Sequence, residues 1–324
     1  MCTCLSLKNK DFYFGRNLDL DYSFNEQVAI TPRRYEFKLK NGNTFYNNYA
    51  LIGMATVYDE YPLYAEAINE KGLGMAGLNY PFHDMYPEPR EGKNNISPFE
   101  FIPYILGQCV SVKEAREILK DLWLDNVAYS DKLPLTVLHF MIADKDECIV
   151  IEHGKDGLMI YDNPYGVMTN NPSFPYHLEN IKNYMHLSSD NSENRISKNI
   201  DIKPYGEGMG AIGLPGDFSS ASRFIKTSFL KLNSYSDTDE NSNVAQFFHI
   251  LDSVVMVRGS VITGNNHYDI TTYSCCANAS KGIYYYKTYD NLGISAVNLF
   301  NEDLNGNKLI VYPLNKELMI TYHN

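Results

Sequence analysis

The chain has 324 residues, of which 44% are hydrophobic and 21% are charged, so it can bury a substantial core as a globular protein. Its formal net charge of −11 argues against a nucleic-acid partner and an anionic membrane surface, because both require a basic face. The longest apolar stretch, roughly residues 133–143, is too short to span a bilayer, and Lys8 and Lys10 interrupt any secretory signal. We therefore expect a cytoplasmic enzyme that forms one domain over residues 1–324, since no change of composition marks a boundary.

The first 80 residues are predicted to be β-structure. Residues 3–7 alternate in polarity and residues 12–17 follow the turn at 8–11, which predicts a hairpin that carries the N-terminus. Two further strands, 35–39 and 50–57, flank the turn signal Asn41-Gly42-Asn43. Residues 73–79 are rich in glycine, which in a strand indicates close approach of the backbone to a ligand or to another element.

Helices are predicted in two pairs, and strands separate and follow these pairs. Capping boxes at Ser97–Glu100 and Ser111–Glu114 predict helices that run to about residues 106 and 122. Later helices are predicted over about 220–232 and 244–255. The remaining predicted strands are 135–143, 147–152, 158–161, 166–169, 270–275, 283–288, 294–299 and 308–311.

The order of these elements predicts two antiparallel sheets packed face to face with helix layers outside. A doubly wound parallel fold is disfavoured, because strands and helices do not alternate one for one. The polar stretch 186–208 is too long for a simple connection, so it is functional, disordered or used in assembly.

The six cysteines, at positions 2, 4, 109, 148, 275 and 276, have no zinc-binding spacing. We interpret all but Cys2 as small buried hydrophobic residues or free thiols of a reducing compartment. Likewise, the glycines at 206, 208 and 210 lack the strand-to-helix context of a nucleotide fingerprint. No metal or cofactor is therefore expected.

Cys2 follows the initiator methionine directly. Aminopeptidases remove Met1 when the next side chain is small, and the loss of Met1 would give Cys2 both a thiol and a free α-amine. One residue would then carry a nucleophile and a base, as in other N-terminal nucleophiles. The alternative is an unimportant cysteine at a frayed terminus.

A catalytic Cys2 requires partners, and the strand predicted to pair with its own carries two candidates. Arg16 would favour the thiolate, and Asp19 would accept hydrogen bonds from the amine. The plainer alternative for these two is a surface ion pair beside Asp21.

These residues belong to a series of motifs along the whole chain that resembles the choloylglycine hydrolase family. That family groups bile salt hydrolases and penicillin V acylases among the N-terminal-nucleophile hydrolases. The motifs are Met1-Cys2-Thr3, Phe14-Gly15-Arg16-Asn17-Leu18-Asp19, residues 69–81 (Asn-Glu-Lys-Gly-Leu-Gly-Met-Ala-Gly-Leu-Asn-Tyr-Pro), Pro98-Phe99-Glu100, residues 166–172 (Gly-Val-Met-Thr-Asn-Asn-Pro), and 213–217 (Gly-Leu-Pro-Gly-Asp) with Ser222-Arg223-Phe224.

The resemblance implies a role for each matching position. Cys2, freed of Met1, would be the nucleophile. Arg16 and Arg223 would flank its sulfur, and Asp19 would orient the amine. The Asn170 side-chain amide and the Asn79 backbone N–H would donate to the oxyanion; Asn171 is disfavoured because the family motif places the amide directly after Thr. Each such donor contributes about 10²–10³ in rate.

Four residues bear on the substrate. Bile salt hydrolases resemble this chain in having Asn at position 79, where typical penicillin V acylases have Tyr, so Asn79 favours bile salts. Leu18, Tyr22 and Phe24 are expected to wall an apolar pocket suited to a steroid, although ordinary core or surface positions remain the alternative for the two aromatic residues. His139, in an apolar strand, is expected to be a satisfied core residue rather than a ligand.

The resemblance further implies a four-layer αββα fold of the α+β class and a homotetramer, with residues 186–208 as a candidate assembly segment. The predicted reaction is cleavage of the amide that joins a bile acid to glycine or taurine. The alternatives are a penicillin V acylase, an N-acyl homoserine lactone acylase, or a non-catalytic bile-acid or lipid binder on the same fold.

Overall fold

The described part of the chain is organised around eighteen strands. The computed structural model describes residues 1–81, 83–131, 133–264 and 266–324. The strands are β1 (Cys2–Lys8), β2 (Phe12–Leu20), β3 (Gln27–Thr31), β4 (Glu36–Lys38), β5 (Thr44–Tyr46), β6 (Leu51–Tyr58), β7 (Tyr61–Asn69), β8 (Gly74–Asn79), β9 (Asn94–Ile96), β10 (Leu122–Leu124), β11 (Leu138–Ala143), β12 (Cys148–Gly154), β13 (Gly157–Asp162), β14 (Val167–Met168), β15 (Ile270–Asn278), β16 (Ile283–Thr288), β17 (Ser295–Asn298) and β18 (Ile310–Pro313).

Two large antiparallel sheets pack face to face. One has six strands in the order β14-β1-β2-β15-β16-β17, and the other has eight in the order β13-β12-β11-β8-β7-β6-β3-β18. A hydrophobic cluster drawn from both sheets fills the space between them. The short strands form two separate pairs, β4 with β5 and β9 with β10.

Helices cover the outer face of each sheet. They are α1 (Phe101–Leu106), α2 (Val112–Leu119), α3 (Phe174–Asn180), α4 (Ser220–Asn233) and α5 (Glu240–Asp252). Helix α1 packs on β7 and β8, whereas α4 contacts β1 and β14 and α5 contacts β15. This arrangement confirms the predicted αββα fold of the α+β class. None of the helices within the described ranges is long and apolar enough to cross a membrane.

The N-terminal hairpin is confirmed and is longer than predicted. Strand β2 continues to Leu20, and β1 lies between β14 and β2. In its register Cys2 is opposite Leu18 and Cys4 is opposite Arg16. Directly opposed residues of an antiparallel pair share a face, so these four side chains are directed toward the second sheet. Thr3, Asn17 and Asp19 are directed toward the helix layer.

The glycine-rich strand β8 approaches the other sheet closely, as expected. A Cβ atom at Gly74 would lie 2.7 Å from Cγ of Phe14 on β2, which is too short for a real contact. The missing side chain at Gly74 therefore allows β8 to lie close to β2 in the facing sheet. At Gly77 a Cβ atom would instead meet Phe140, at 2.9 Å, on the neighbouring strand β11 of the same sheet.

Several predicted elements differ from the observed ones. The turn at residues 41–43 joins β4 to β5, not to the strand at 50–57, because three residues suffice to close the hairpin and β6 pairs with β3 and β7. Strand β7 was not predicted, since Pro62 and Glu66 interrupt its apolar pattern. Helix α3 was also missed.

The two capping boxes gave shorter helices than expected. The Glu100 carboxylate accepts the Ser97 N–H at 3.0 Å, but Ser97 Oγ donates to a distant carbonyl, and α1 begins only at Phe101. Helix α2 ends at Leu119, and the following residues form β10. The stretch 186–208 contains neither helix nor strand.

Candidate active site

Cys2 is the first residue of β1 and is only 2% exposed. In this structure Met1 is still joined to it, so its nitrogen is a peptide N–H and not a free amine. That N–H donates to Oδ1 of Asn170 at 2.8 Å. The geometry therefore describes the chain with Met1 attached.

Arg16 is a buried cation on the same face of the hairpin as Cys2. Its Nη1 donates to the carbonyl oxygens of Gly77 at 2.6 Å and Ala65 at 3.2 Å, both in the opposite sheet. Burial by itself lowers the pKa of Arg16, but the negative charges around it, first that of Cys2, outweigh this effect and hold that pKa above its ordinary value. Arg16 therefore stays positive in its buried position between the sheets.

Glu66, on β7, is the carboxylate that faces Arg16. Its Oε2 lies 3.8 Å from Arg16 Nε and accepts the Tyr273 hydroxyl at 2.7 Å, and its Oε1 accepts the Tyr284 hydroxyl at 2.6 Å. Burial raises the pKa of Glu66, opposed chiefly by Arg16 and the two tyrosines. Glu66 was not predicted, because no local pattern indicated its strand.

Arg223 reaches Cys2 from the other side, from the first turn of α4. Its Nη1 donates to Cys2 O at 2.5 Å and to Thr3 Oγ1 at 2.7 Å, and its Nη2 donates to Asn170 Oδ1 at 2.8 Å. Burial lowers the pKa of Arg223, opposed by the negative charges of Asp19 and Cys2. A planar guanidinium suits this set of acceptors, because its N–H groups point in fixed directions.

The side-chain amide of Asn170 is held at both ends. Its Oδ1 accepts from Cys2 and Arg223, and its Nδ2 donates to the carbonyl oxygen of Asn79 at 2.5 Å. These partners fix the orientation of the amide, since only the oxygen can accept two donors. An NH₂ group carries two hydrogens, so Nδ2 keeps a second one for another acceptor. The Ser220 hydroxyl accepts the backbone N–H of Asn170 at 2.8 Å.

The amino group of Met1 lies among acidic residues. It donates to the backbone oxygen of Asp19 at 2.7 Å and to Oδ2 of Asp269 at 3.1 Å. The Asp19 carboxyl accepts the Thr271 hydroxyl at 2.6 Å. Burial raises the pKa of Asp19, opposed by the positive charges of Arg223 and the N-terminus. Asp269 was not predicted, because no motif or spacing marks it.

An apolar cavity of about 210 Å³ lies beside Leu18, which is opposite Cys2 in the hairpin. Leu18, the cross-strand partner of Cys2, lines it, and so does Leu138, the cross-strand partner of Asn79. The other described residues of its wall are Phe24, Glu26, Met54, Ala55, Thr56, Leu63, Tyr64, Ala65, Pro98, Phe99, Ile102, Tyr129, Leu133, Pro134, Leu135, Thr136 and Phe140.

The three residues expected to wall a pocket occupy different places. Leu18 and Phe24 line the cavity. Tyr22 packs edge-on against Phe24, with ring centroids 4.7 Å apart, and is 56% exposed. The cavity is therefore bounded by the end of β2 and by the loop that follows it.

The structure brings the six residues with expected catalytic roles to one place. Residues 2, 16 and 19 come from the N-terminal hairpin, 79 from the end of β8, 170 from the loop after β14, and 223 from α4. Five of them contact each other or the first residue of the chain. Arg16 lies on the same face of the hairpin as Cys2. Glu66, Asp269 and Thr271 join them without having been expected.

The two antiparallel sheets between helix layers, with a cysteine at the start of a central strand, define the fold of the N-terminal-nucleophile hydrolases. The family model described as linear amide C–N hydrolases, choloylglycine hydrolase family, matches residues 2–312. The chain belongs to this family, as its motifs predicted.

Relatives with known names are similar over the full length. The bile salt hydrolase/transferase of Lactiplantibacillus plantarum is 47% identical, with 98% of each chain covered. The bile salt hydrolase/transferase of Clostridium perfringens is 40% identical, with 100% of each chain covered. A crystal structure of a conjugated bile acid hydrolase variant from Clostridium perfringens superposes with a TM-score of 0.92 at 40% identity, with 100% of each chain covered.

A more distant structure shares the fold. Penicillin V acylase from Agrobacterium tumefaciens has a TM-score of 0.75 at 17% identity, over 97% of this chain and 92% of that one. At this identity the likeness concerns the fold alone.

Proposed function

We propose that this chain, once Met1 is removed, hydrolyses the amide bond between a bile acid and glycine or taurine. The observation that carries the proposal is the position of Cys2 opposite Leu18 at the wall of the apolar cavity. A nucleophile opposite a residue that lines an apolar cavity suits an apolar acyl group whose reacting carbonyl ends at the sulfur. The relatives at 47% and 40% identity, named for bile salts, support the same substrate class.

In the first half of the proposed reaction, the Cys2 thiolate attacks the amide carbonyl carbon. A C–S bond forms, and the carbonyl electron pair moves to the oxygen. The free hydrogen of Asn170 Nδ2 and the Asn79 backbone N–H donate to this oxyanion. The α-amine of Cys2, protonated at this stage, gives its proton to the amide nitrogen, so the C–N bond breaks and the amino acid leaves.

In the second half, water attacks the resulting thioester. The now neutral α-amine takes a proton from the water, the same two donors stabilise the second oxyanion, and the C–S bond breaks to release the bile acid. Arg16 favours the negative sulfur in both steps. Arg223 and Asp19 hold the amine and Asn170 in place.

The proposal is tested with conjugated bile salts and with Cys2→Ala. Alanine is also small, so Met1 removal is retained while the sulfur is lost. The wild type should cleave glycocholate and show an intact mass without Met1, whereas Cys2→Ala should show the same processing and no turnover. Activity in Cys2→Ala, or full activity in a protein that keeps Met1, would refute the mechanism.

The choice of substrate is tested separately, because penicillin V acylases and acyl homoserine lactone acylases are the rival assignments. We expect kcat/KM for glycocholate to exceed that for penicillin V, as Asn79 favours. A preference for penicillin V or for an acyl homoserine lactone would reject the bile-salt assignment while leaving the cysteine mechanism intact. Binding of bile acid without turnover would support the non-catalytic alternative.

A second reaction follows from the same thioester. The two relatives above are named hydrolase/transferase, and an amine that attacks the thioester carbon in place of water would form a new amide. With unconjugated or conjugated bile acid and excess free amino acid, mass spectrometry should detect the exchanged conjugate. Its absence, with hydrolysis intact, would restrict the chain to water as the acceptor.

The homotetramer and the cytoplasmic location stay predictions. Light scattering on the purified chain tests the first, and deletion within residues 186–208 tests whether that stretch is the assembly segment. Fractionation of the source cells tests the second.

A further inference from the structure

A buried cluster of three titratable side chains lies behind Asn170. Its members are His139 on β11, Glu152 on β12 and His177 on α3, and none of them is more than 1% exposed. Together we call them the Asn170 cradle. None touches the cavity or Cys2, so the proposed reaction gives them no direct part.

The two histidines hold consecutive carbonyl groups. His177 Nε2 donates to the backbone oxygen of Asn170 at 3.0 Å, and His139 Nε2 donates to that of Thr169 at 2.7 Å. A carbonyl oxygen only accepts, so each Nε2 must carry its hydrogen. The peptide groups on both sides of the Asn170 Cα are therefore fixed by side chains from two other elements.

Glu152 connects the two histidines. Its Oε1 accepts the N–H of Phe174, the first residue of α3, at 2.7 Å, and lies 3.6 Å from Nδ1 of His139. It thus fixes the start of the helix that carries His177. Burial lowers the pKa of His177, which favours the neutral ring.

Each imidazole is also stacked on a neighbour of a site residue. The ring of His139 lies on Tyr80, which follows Asn79, with centroids 4.5 Å apart and planes 9° apart. The ring of His177 lies against Phe224, which follows Arg223, with centroids 4.8 Å apart. The cradle therefore links three segments that are distant in sequence but contribute to one site.

We propose that His139 and His177 are positioning residues that hold the Asn170 backbone in register with Asn79 and Arg223, so that the Asn170 amide meets the developing oxyanion. The inference rests on the proposed function. Because Asn170 would serve the transition state rather than the bound substrate, its displacement should lower kcat and leave KM nearly unchanged. A displacement of about 1 Å costs up to about 10²-fold in rate.

The test compares His177→Asn with His177→Gln. A glutamine amide reaches the position of Nε2 and keeps the bond to Asn170 O, whereas the asparagine amide is too short. We expect kcat to fall about ten- to a hundredfold in His177→Asn and to recover to within about threefold of wild type in His177→Gln. The matched control is His249→Leu, an exposed histidine on α5 that should have no effect.

Two readouts separate positioning from general damage. Alkylation of Cys2 by iodoacetamide should proceed within about twofold of the wild-type rate in both variants, since that reaction forms no oxyanion. Hydrogen exchange of a peptide over residues 169–176 should be faster in His177→Asn and like wild type in His177→Gln. If His177→Asn does not fold, His177→Leu, which suits the apolar contact with Phe224, takes its place.

Unchanged kcat and unchanged exchange in the variant that lacks the donor would overturn the inference. The inference would also be overturned if KM rose by the same factor by which kcat fell. An equal fall of kcat in the asparagine and glutamine variants would overturn it as well. A wild type that cleaves no conjugated bile salt would instead defeat the proposed function. The exchange measurement needs no substrate, so it still decides whether His177 holds the Asn170 segment.

Discussion

Arg16 and Arg223 are both 1% exposed and both lie beside Cys2, yet their surroundings differ. Arg16 lies between the two sheets, where it contacts backbone carbonyls of β7 and β8 and the carboxylate of Glu66. Arg223 lies between the six-stranded sheet and α4, where its acceptors are atoms of Cys2, Thr3 and Asn170. Arg16 is therefore tied mainly to the fold, and Arg223 mainly to the site.

The same alternation of strand faces produces this difference. Arg16 is opposite Cys4 in the hairpin, so it shares the face directed toward the second sheet. Thr3 is on the other face, and α4 brings Arg223 to it. The two cations therefore lie on opposite faces of the hairpin, with different sets of acceptors.

The largest effect is expected from Arg16→Leu, which should act on the stability of the fold rather than on the reaction alone. Leucine would leave the backbone oxygens of Ala65 and Gly77 without their donor, and each buried acceptor left unsatisfied costs about 1–3 kcal/mol in the free energy of unfolding. Urea denaturation measures this loss.

The control for Arg16→Leu is Arg116→Leu, because Arg116 forms its ion pairs with Glu147 and Asp162 on the surface. Exposed pairs of this kind contribute about 0–1 kcal/mol. A similar loss in both variants would show that Arg16 is not tied to the fold through its buried contacts.

The next effect is expected from Arg223→Leu, which should act on turnover. Without Arg223, Oδ1 of Asn170 loses a donor and the amide loses its fixed direction. Removal of one oxyanion donor costs about 10²–10³ in kcat, and we expect a loss of that order.

Arg223→Lys sharpens the same point. Lysine keeps the positive charge but cannot reproduce the planar fork that contacts three acceptors, so it should recover only part of the lost kcat. Steady-state kinetics on glycocholate measures both variants. Full recovery with lysine would show that charge alone, and not the direction of the N–H groups, is what the site requires.

The smallest effect is expected from Glu66→Gln and is visible in its pH dependence. The folded chain raises the pKa of Glu66 above its ordinary value of 4.5, so this group stabilises the fold below that value. The contribution is lost as pH rises through the folded pKa. Glutamine does not titrate, so the stability of Glu66→Gln relative to wild type should increase from about pH 4 upward, by about 1.4 kcal/mol for each pH unit that separates the folded pKa from the unfolded one.

Urea denaturation at several pH values measures this difference, with the exposed Glu193→Gln as a control that should give a flat difference. A difference that falls with pH would mean that Glu66 contributes chiefly as the charged partner of Arg16. In that case the contribution of Arg16 to stability would depend on its buried ion pair with Glu66 more than on the backbone oxygens that accept its hydrogen bonds.

The sequence was informative where the signal is local. Alternation around the turn at 8–11 predicted the hairpin, and the family motifs named Arg16, Asp19, Asn170 and Arg223 before any contact was visible. These residues lie in short motifs, and the residue types and spacing within each motif indicate the family.

The parts that were missed depend on contacts between distant segments. Glu66 acquires its role only because β7 packs beneath β2, and Asp269 only because β15 pairs with β2. His139 was expected to be a satisfied core residue. It is buried and its Nε2 donates to a backbone carbonyl, but its Nδ1 has no hydrogen-bond partner among the described residues. Which carbonyl it holds could not be derived from its own strand. No periodicity encodes such pairings.

The site is assembled from both ends of the chain, and this affects when activity first appears. Cys2 is 168 positions from Asn170 and 221 from Arg223, and Asp19 is 252 from Thr271. Contacts of such separation form late, since the loops between them must close first. A nascent chain is therefore inactive until nearly all of it has been synthesised. In a refolding experiment, the return of turnover reports the last step of folding rather than the first.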